Sequence, residues 1–282
     1  MKFSDIHIRD PFILPFDGKY YLYGTRGETA WKIACGLDVY VSTDLENWSE
    51  AKECFSVPNG FWADREIWAP EVHYYNGKFN MFVSLRSDSR LRGTQILQSD
   101  SPEGPFVPTS NDAITPRDWQ CLDGTLYIDK NGDPYIVFCH EWVQVKDGEM
   151  CAMKLSADLS SPAGEPFVLF KASEPFWADK SRKDFITDGP FMYRMQGGKL
   201  LMIWSSINEK GYVQAVSSSD NGEIDGNWRH EELLFDENGG HGMIFEDYSG
   251  SLHLILHSPN NHPLERPVLF DLTEENDCLH II

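Results

Sequence analysis

Positive charge is what this sequence lacks most. Its 282 residues hold 24 Lys and Arg against 44 Asp and Glu, a formal charge of −20. Such a surface repels a polyanion over most of its area, which argues against nucleic acid as a partner and disfavours highly acidic glycans. Neutral sugars remain compatible, and solubility alone is a sufficient reason for the charge. No apolar run reaches the roughly 20 residues that span a bilayer, so no membrane partner is expected. The first residues, MKFSDIHIRD, do not read as a signal peptide. That leaves a cytoplasmic protein, or a periplasmic or secreted one whose leader has been removed. The six cysteines are Cys35, Cys54, Cys121, Cys139, Cys151 and Cys278. None stands in a C-x-x-C motif, which argues against zinc and thioredoxin-type chemistry. Several lie in apolar runs and read as small buried hydrophobes. A sustained 3.6-residue period is missing as well, so long amphipathic helices are not expected.

What the sequence does have is aromatic residues, 9 Trp, 11 Tyr and 17 Phe, together with 22 Gly and 16 Pro spread along the chain. Aromatic residues favour strands, and dispersed turn formers suit many short ones. Five hairpin patterns stand out: FILPFDGKYYLYGT, VHYYNGKFNMFVS, TLYIDKNGDPYIVF, FMYRMQGGKLLMIWSS and MIFEDYSGSLHLILHS. Their turn glycines, Gly18, Gly77, Gly132, Gly198 and Gly250, are 59, 55, 66 and 52 residues apart. After each of the first four comes a Ser/Asp turn, at Ser42–Asp44, Ser99–Asp100, Ser156–Asp158 and Ser219–Asp220, where side chains can close the turn on their own backbone. Each repeat thus reads as hairpin, third strand, turn, fourth strand. The expected fold is all-β, a five-bladed β-propeller of four-stranded antiparallel blades occupying residues 1–282 as one domain. A β-sandwich has no reason to repeat at this spacing.

Polar residues precede the hairpins in phase. Asp10, Glu71, Asp123, Asp188 and His241 precede their glycines by 8, 6, 9, 10 and 9 residues. In a propeller those positions start the innermost strands and surround the axis at one face. Asp-Gly and Asp-Pro are ordinary turn dipeptides when taken singly, but five occurrences in phase point to a site. Glycosidic hydrolysis uses such a set: one carboxylic acid protonates the leaving oxygen and one carboxylate activates water. A third carboxylate raises the pKa of the acid by like-charge repulsion.

With RDPFI, IWAPEVHYYNGKFNMFVS, LDGTLYIDKNGDPYIVF, TDGPFMY and GGHGMIF in order, the chain resembles glycoside hydrolase family 43 from about residue 5 to about residue 272. The resemblance implies an inverting enzyme that releases arabinofuranose or xylose units from neutral plant-type glycans. It implies Asp10 as general base, Asp123 as pKa modulator and Asp188 as general acid, where the family normally carries Glu in a Glu-Gly-Pro setting. An alternative is a sugar-binding propeller with a weakened acid. Retaining hydrolases of the fructan or sialic-acid type are disfavoured by the missing Asn-Asp-Pro-Asn start and the missing arginine cluster. Trp68, Glu71, Arg266 and His241 are the candidate substrate-binding residues. His241 is also a candidate for holding an axial Ca2+ through water, though no cofactor is expected to be required. The other histidines show no ligand spacing and receive no role. An oligosaccharide or polysaccharide is the expected partner, with its identity set by the loops Ala30–Cys35, Arg86–Arg92, Trp142–Gly148 and Pro175–Lys183. The sequence assigns no oligomeric state.

Overall fold

A computed structural model describes residues 1–33 and 36–282. Cys35, and with it the end of the Ala30–Cys35 loop, lies outside the described residues. The chain forms five four-stranded antiparallel sheets, and in each the four strands follow one another in sequence order across the sheet. The innermost strands are Ile8–Phe16, Arg65–Tyr75, Cys121–Ile128, Asp188–Arg194 and Gly240–Glu246. The first and last of these pack against each other and close the ring. The five-bladed propeller read from the sequence is therefore the fold. Among the described residues, no helix is long and apolar enough to cross a membrane.

The hairpins are made by the residues that signalled them. Asp17 and Gly18 have φ of 48° and 73°, and Asn76 and Gly77 have 51° and 75°. Two successive left-handed residues make the two-residue turn whose twist matches the flanking strands. The Ser/Asp turns close as expected: Ser42 Oγ accepts from the N–H of Asp44 and Leu45, and Asp44 Oδ1 from Glu46 and Asn47.

The core lies between blades. Apolar clusters fill the interfaces, with Phe82, Ile136 and Phe138 between blades two and three, Met202 and Trp204 between three and four, Ile203 and Leu254 between four and five, and one larger cluster that runs from Met243 and Ile255 of blade five through Leu22 of blade one to Val72 and Met81 of blade two. Cys54, Cys121, Cys139 and Cys151 are buried free thiols and Cys278 is exposed.

Every inner strand carries an irregularity at the same place. The ladder to the second strand breaks between Arg9 and Phe12, Trp68 and Glu71, Leu122 and Thr125, Asp188 and Phe191, and Gly240 and Met243. The first residue of each bulge is left-handed: Asp10 (φ 53°), Ala69 (46°), Asp123 (54°), Gly189 (49°) and His241 (52°). These residues precede their hairpin glycines by 8, 8, 9, 9 and 9 positions. Freed from the ladder, each of their N–H groups donates to a side chain of the preceding blade. Ala69 bonds Thr25 Oγ1, Asp123 bonds Ser84 Oγ, Gly189 bonds Asp123 Oδ2, His241 bonds Ser205 Oγ, and Asp10 bonds His257 Nδ1 across the ring closure. The next residue is Pro11, Pro70 or Pro190 in three blades, with no N–H to satisfy. It is Gly124 or Gly242 in the other two, and their N–H groups bond Thr94 and Gln214 of the preceding blade. The bulge thus turns side chains toward the axis and stitches neighbouring blades together.

Candidate active site

Asp10, Asp123, Asp188, His241 and Trp68 line one cavity of about 70 Å³ at the axis. Arg9, Thr25, Trp31, Leu122 and Tyr212 complete its wall. A broader groove of about 560 Å³ at the edge of blades four and five passes Tyr193 and Glu274. There Glu274 accepts the Tyr193 hydroxyl at 2.6 Å.

Asp10 is built to stay ionised. Ala69 N–H donates to Thr25 Oγ1 at 2.8 Å, which turns the Thr25 hydroxyl proton toward Asp10 Oδ2 at 2.6 Å. His241 Nδ1 stands 3.2 Å from Asp10 Oδ1. Burial opposes ionisation of this carboxyl, but His241 and Arg9, with the Thr25 hydroxyl, outweigh it and hold its pKa below the ordinary value. His257 is fully buried, and desolvation takes its pKa down to about 3. A neutral imidazole is what its bonds require: Nδ1 accepts from the Asp10 N–H, which leaves the proton on Nε2 facing Asn260 Oδ1 at 3.2 Å.

Asp123 and Asp188 are built to hold protons. Burial and then the charge of Asp10 push Asp123 well above the usual carboxylate range, although the Gly189 N–H offsets part of this. Burial and then the charge of Asp123 take Asp188 up to about 7. The Tyr212 hydroxyl donates to Asp188 Oδ2 at 3.0 Å and fixes its direction. At neutral pH the cavity therefore holds an ionised carboxylate on blade one and protonated or proton-sharing carboxyls on blades three and four.

The aromatic wall is firmly backed. Trp68 donates its indole N–H to Ala30 O, Trp31 meets it edge-on at 5.0 Å, and the Arg92 guanidinium lies 3.6 Å from its ring centre. Arg92 is anchored in turn by ion pairs with Glu66 and Glu141. Trp31 is 54% exposed and forms the lip of the cavity.

Two expected binding residues lie elsewhere. Glu71 is the first residue after its bulge, so it returns to the ladder opposite Phe82. Its carboxylate meets His73 Nε2 at 3.1 Å within blade two, away from the cavity. Arg266 is held by the carbonyls of Ser4, Pro263 and Glu265, and it too is absent from the cavity wall. The cavity arginine is Arg9, fastened by Asn260 Oδ1 at 2.8 Å. Arg9 stood in the RDP motif, so its place beside Asp10 was visible in sequence. Trp31 lies in the Ala30–Cys35 loop expected to shape the substrate site, whereas nothing local signals Tyr212.

The sequence profile described as "Glycosyl hydrolases family 43" matches residues 4–276. The chain is similar to the extracellular endo-alpha-(1->5)-L-arabinanase 1 of Bacillus subtilis (strain 168), 27% identical over 175 residues, which are 56% of this chain and 52% of that one. It is similar also to a xylosidase/arabinosidase of Bacteroides ovatus, 28% identical over 142 residues, 43% of this chain and 42% of the relative. The chain spans about half the length of these curated relatives. Among solved structures, the endo-arabinase from Bacteroides thetaiotaomicron VPI-5482 is 39% identical with a TM-score of 0.90, covering 98% of both chains.

Proposed function

Because this chain belongs to glycosyl hydrolase family 43, we propose that it is an inverting glycoside hydrolase acting on arabinofuranosyl or xylosyl linkages of neutral glycans. The observation that carries the reading is the split between one carboxyl held ionised and another held protonated at one cavity. In this reading Asp10 takes a proton from water, and that water attacks the anomeric carbon from the face opposite the leaving group. Asp188 gives its proton to the departing glycosidic oxygen, with Tyr212 keeping its carboxyl aimed. Asp123 supplies the buried neighbour that keeps a proton on Asp188 near neutral pH, and its bond to the Gly189 N–H fixes the distance between the two. Inversion needs room for the water, about 6.5–9.5 Å between base and acid. Trp31 and Trp68 offer apolar faces to a sugar ring, and Arg9 offers donors to its hydroxyls. His241 spans Asp10 and Asp123 and orients both. A calcium ion on the axis would be held beside His241 through water.

The arabinanase and xylosidase/arabinosidase names of similar proteins support pentose units as substrate. A hydrolysis screen over aryl arabinofuranosides and xylosides, with arabinan and xylan, tests this. Release of a pentose with inverted anomeric configuration is expected. Retained configuration would overturn the assignment of Asp10 as base, and turnover confined to hexosides would overturn the substrate class.

A further inference from the structure

The ring closes without a shared strand: every strand of blade one comes from the N-terminal end of the chain and every strand of blade five from the C-terminal end. Side chains must hold that seam. Three of them come together there: His7 just before the first strand and, more than 250 residues later, His262 and Glu265 in the loop leading to the third strand of blade five. One donor atom from each lies within 4.8 Å of the others. His7 Nε2 is 3.9 Å from Glu265 Oε2, and His262 Nδ1 is 3.2 Å from Glu265 Oε1. The two imidazoles stack with centroids 5.7 Å apart.

Two further observations mark this as a place for a ligand. Glu265 is fully buried, yet its Oε2 has no hydrogen-bond partner among the described residues, and neither has the buried Nε2 of His7. A buried carboxylate oxygen and a buried ring nitrogen facing one another without partners are costly unless something joins them. Room for the His7 ring is kept by Gly27, where a Cβ would fall 2.3 Å from His7 Nε2.

We propose that His7, His262 and Glu265 form a zinc-type divalent metal site that pins blade five to blade one. Two imidazoles and a carboxylate, with a fourth position for water, suit a tetrahedral borderline ion. Calcium and magnesium prefer all-oxygen ligands and fit less well. With metal–donor distances of about 2.0–2.2 Å, tetrahedral donors stand about 3.4 Å apart, so donors now within 4.8 Å of one another close by up to about 1.4 Å on binding. His262 is 41% exposed, so its ring is the least confined of the three ligands. Glu265 Oε1 stands 3.4 Å from Arg9, which lines the axial cavity, so the same carboxylate steadies the site and the seam.

The experiment strips the protein with a chelator and titrates it with ZnCl2 by calorimetry, alongside thermal melts and the visible spectrum of the Co2+ form. One zinc per chain, a tetrahedral Co2+ spectrum and a melting temperature raised by roughly 5 °C at a hundredfold excess over Kd are expected. His262→Gln removes an exposed ligand, so it should fold normally without metal and bind zinc at least tenfold more weakly. Gly27→Ala, which displaces the His7 ring, should weaken binding as well. No zinc uptake by the unaltered protein, or equal affinity in His262→Gln, would overturn the proposal. So would loss of binding in His241→Asn with binding retained in His262→Gln, which would move the metal to the axis.

Discussion

The backbone N–H of Gly189 donates to Asp123 Oδ2 at 3.0 Å, so the residue after Asp188 is fastened to the carboxyl that perturbs Asp188. Distance and electrostatics are set by one bond. Asp123→Asn keeps an oxygen to accept that N–H but can neither carry charge beside Asp188 nor share a proton with it. Asp188 should then titrate lower. Its active form is the protonated one, so the alkaline limb of the pH–rate profile should move down by about one unit. A limb that stays in place would separate Asp123 from the acid.

Asp10→Asn keeps the shape and the Thr25 contact but cannot take a proton from water. Turnover should fall by about a thousandfold or more, with sugar affinity retained in calorimetry. Turnover within tenfold of the unaltered enzyme would remove Asp10 from the base role.

Much of this site was legible because turn glycines and axial residues keep a constant phase. Asp10, Asp123 and His241 are left-handed bulge residues, 8 or 9 positions before their glycines. In blades two and four the bulge residues are Ala69 and Gly189. The nearest acids, Glu71 and Asp188, stand two after and one before. An offset of one or two residues at a bulge decides which way a side chain points, and only backbone geometry reveals it. Glu71 was therefore misplaced, while Asp188 reaches the cavity from the ladder position opposite Ser205. Arg266 was misjudged because its carbonyl acceptors on Ser4, Pro263 and Glu265 come from chain bends that no motif encodes. His7 and His262 showed no ligand spacing because ring closure, not local sequence, joins them.

Tyr212→Phe tests the support of the acid. The hydroxyl donates to Asp188 and stabilises its ionised form, so its removal should raise the pKa of Asp188. The alkaline limb should move upward, opposite to Asp123→Asn. Loss of aim should also lower kcat by about tenfold with little change in KM. A profile unchanged in position would show that the hydrogen bond does not act on the reacting carboxyl.

Asp188 itself can be tested by chemistry and by stability, with independent outcomes. If it is the acid, Asp188→Asn should cripple glycosides with basic leaving groups, by about a hundredfold or more, and largely spare aryl glycosides whose leaving group needs no proton. An equal loss on both would point to a binding role. Asp188→Glu adds one methylene, a displacement of about 1 Å, which can cost on the order of a hundredfold where a pocket is fitted to the shorter side chain. Tyr212 fixes the carboxyl at its present reach, so loss rather than gain is expected. Stability gives the second test. The folded pKa of about 7 lies above the ordinary 3.8, so the protonated form is the one the fold favours. Its contribution is fully present below pH 3.8 and is lost as pH rises through about 7. Asp188→Asn carries no such dependence. Relative to the unaltered protein it should raise the melting temperature by a few degrees at pH 8 and change it little at pH 4. An equal difference at both pH values would mean that Asp188 is not held protonated by the cavity, and its role as proton donor would fall with it.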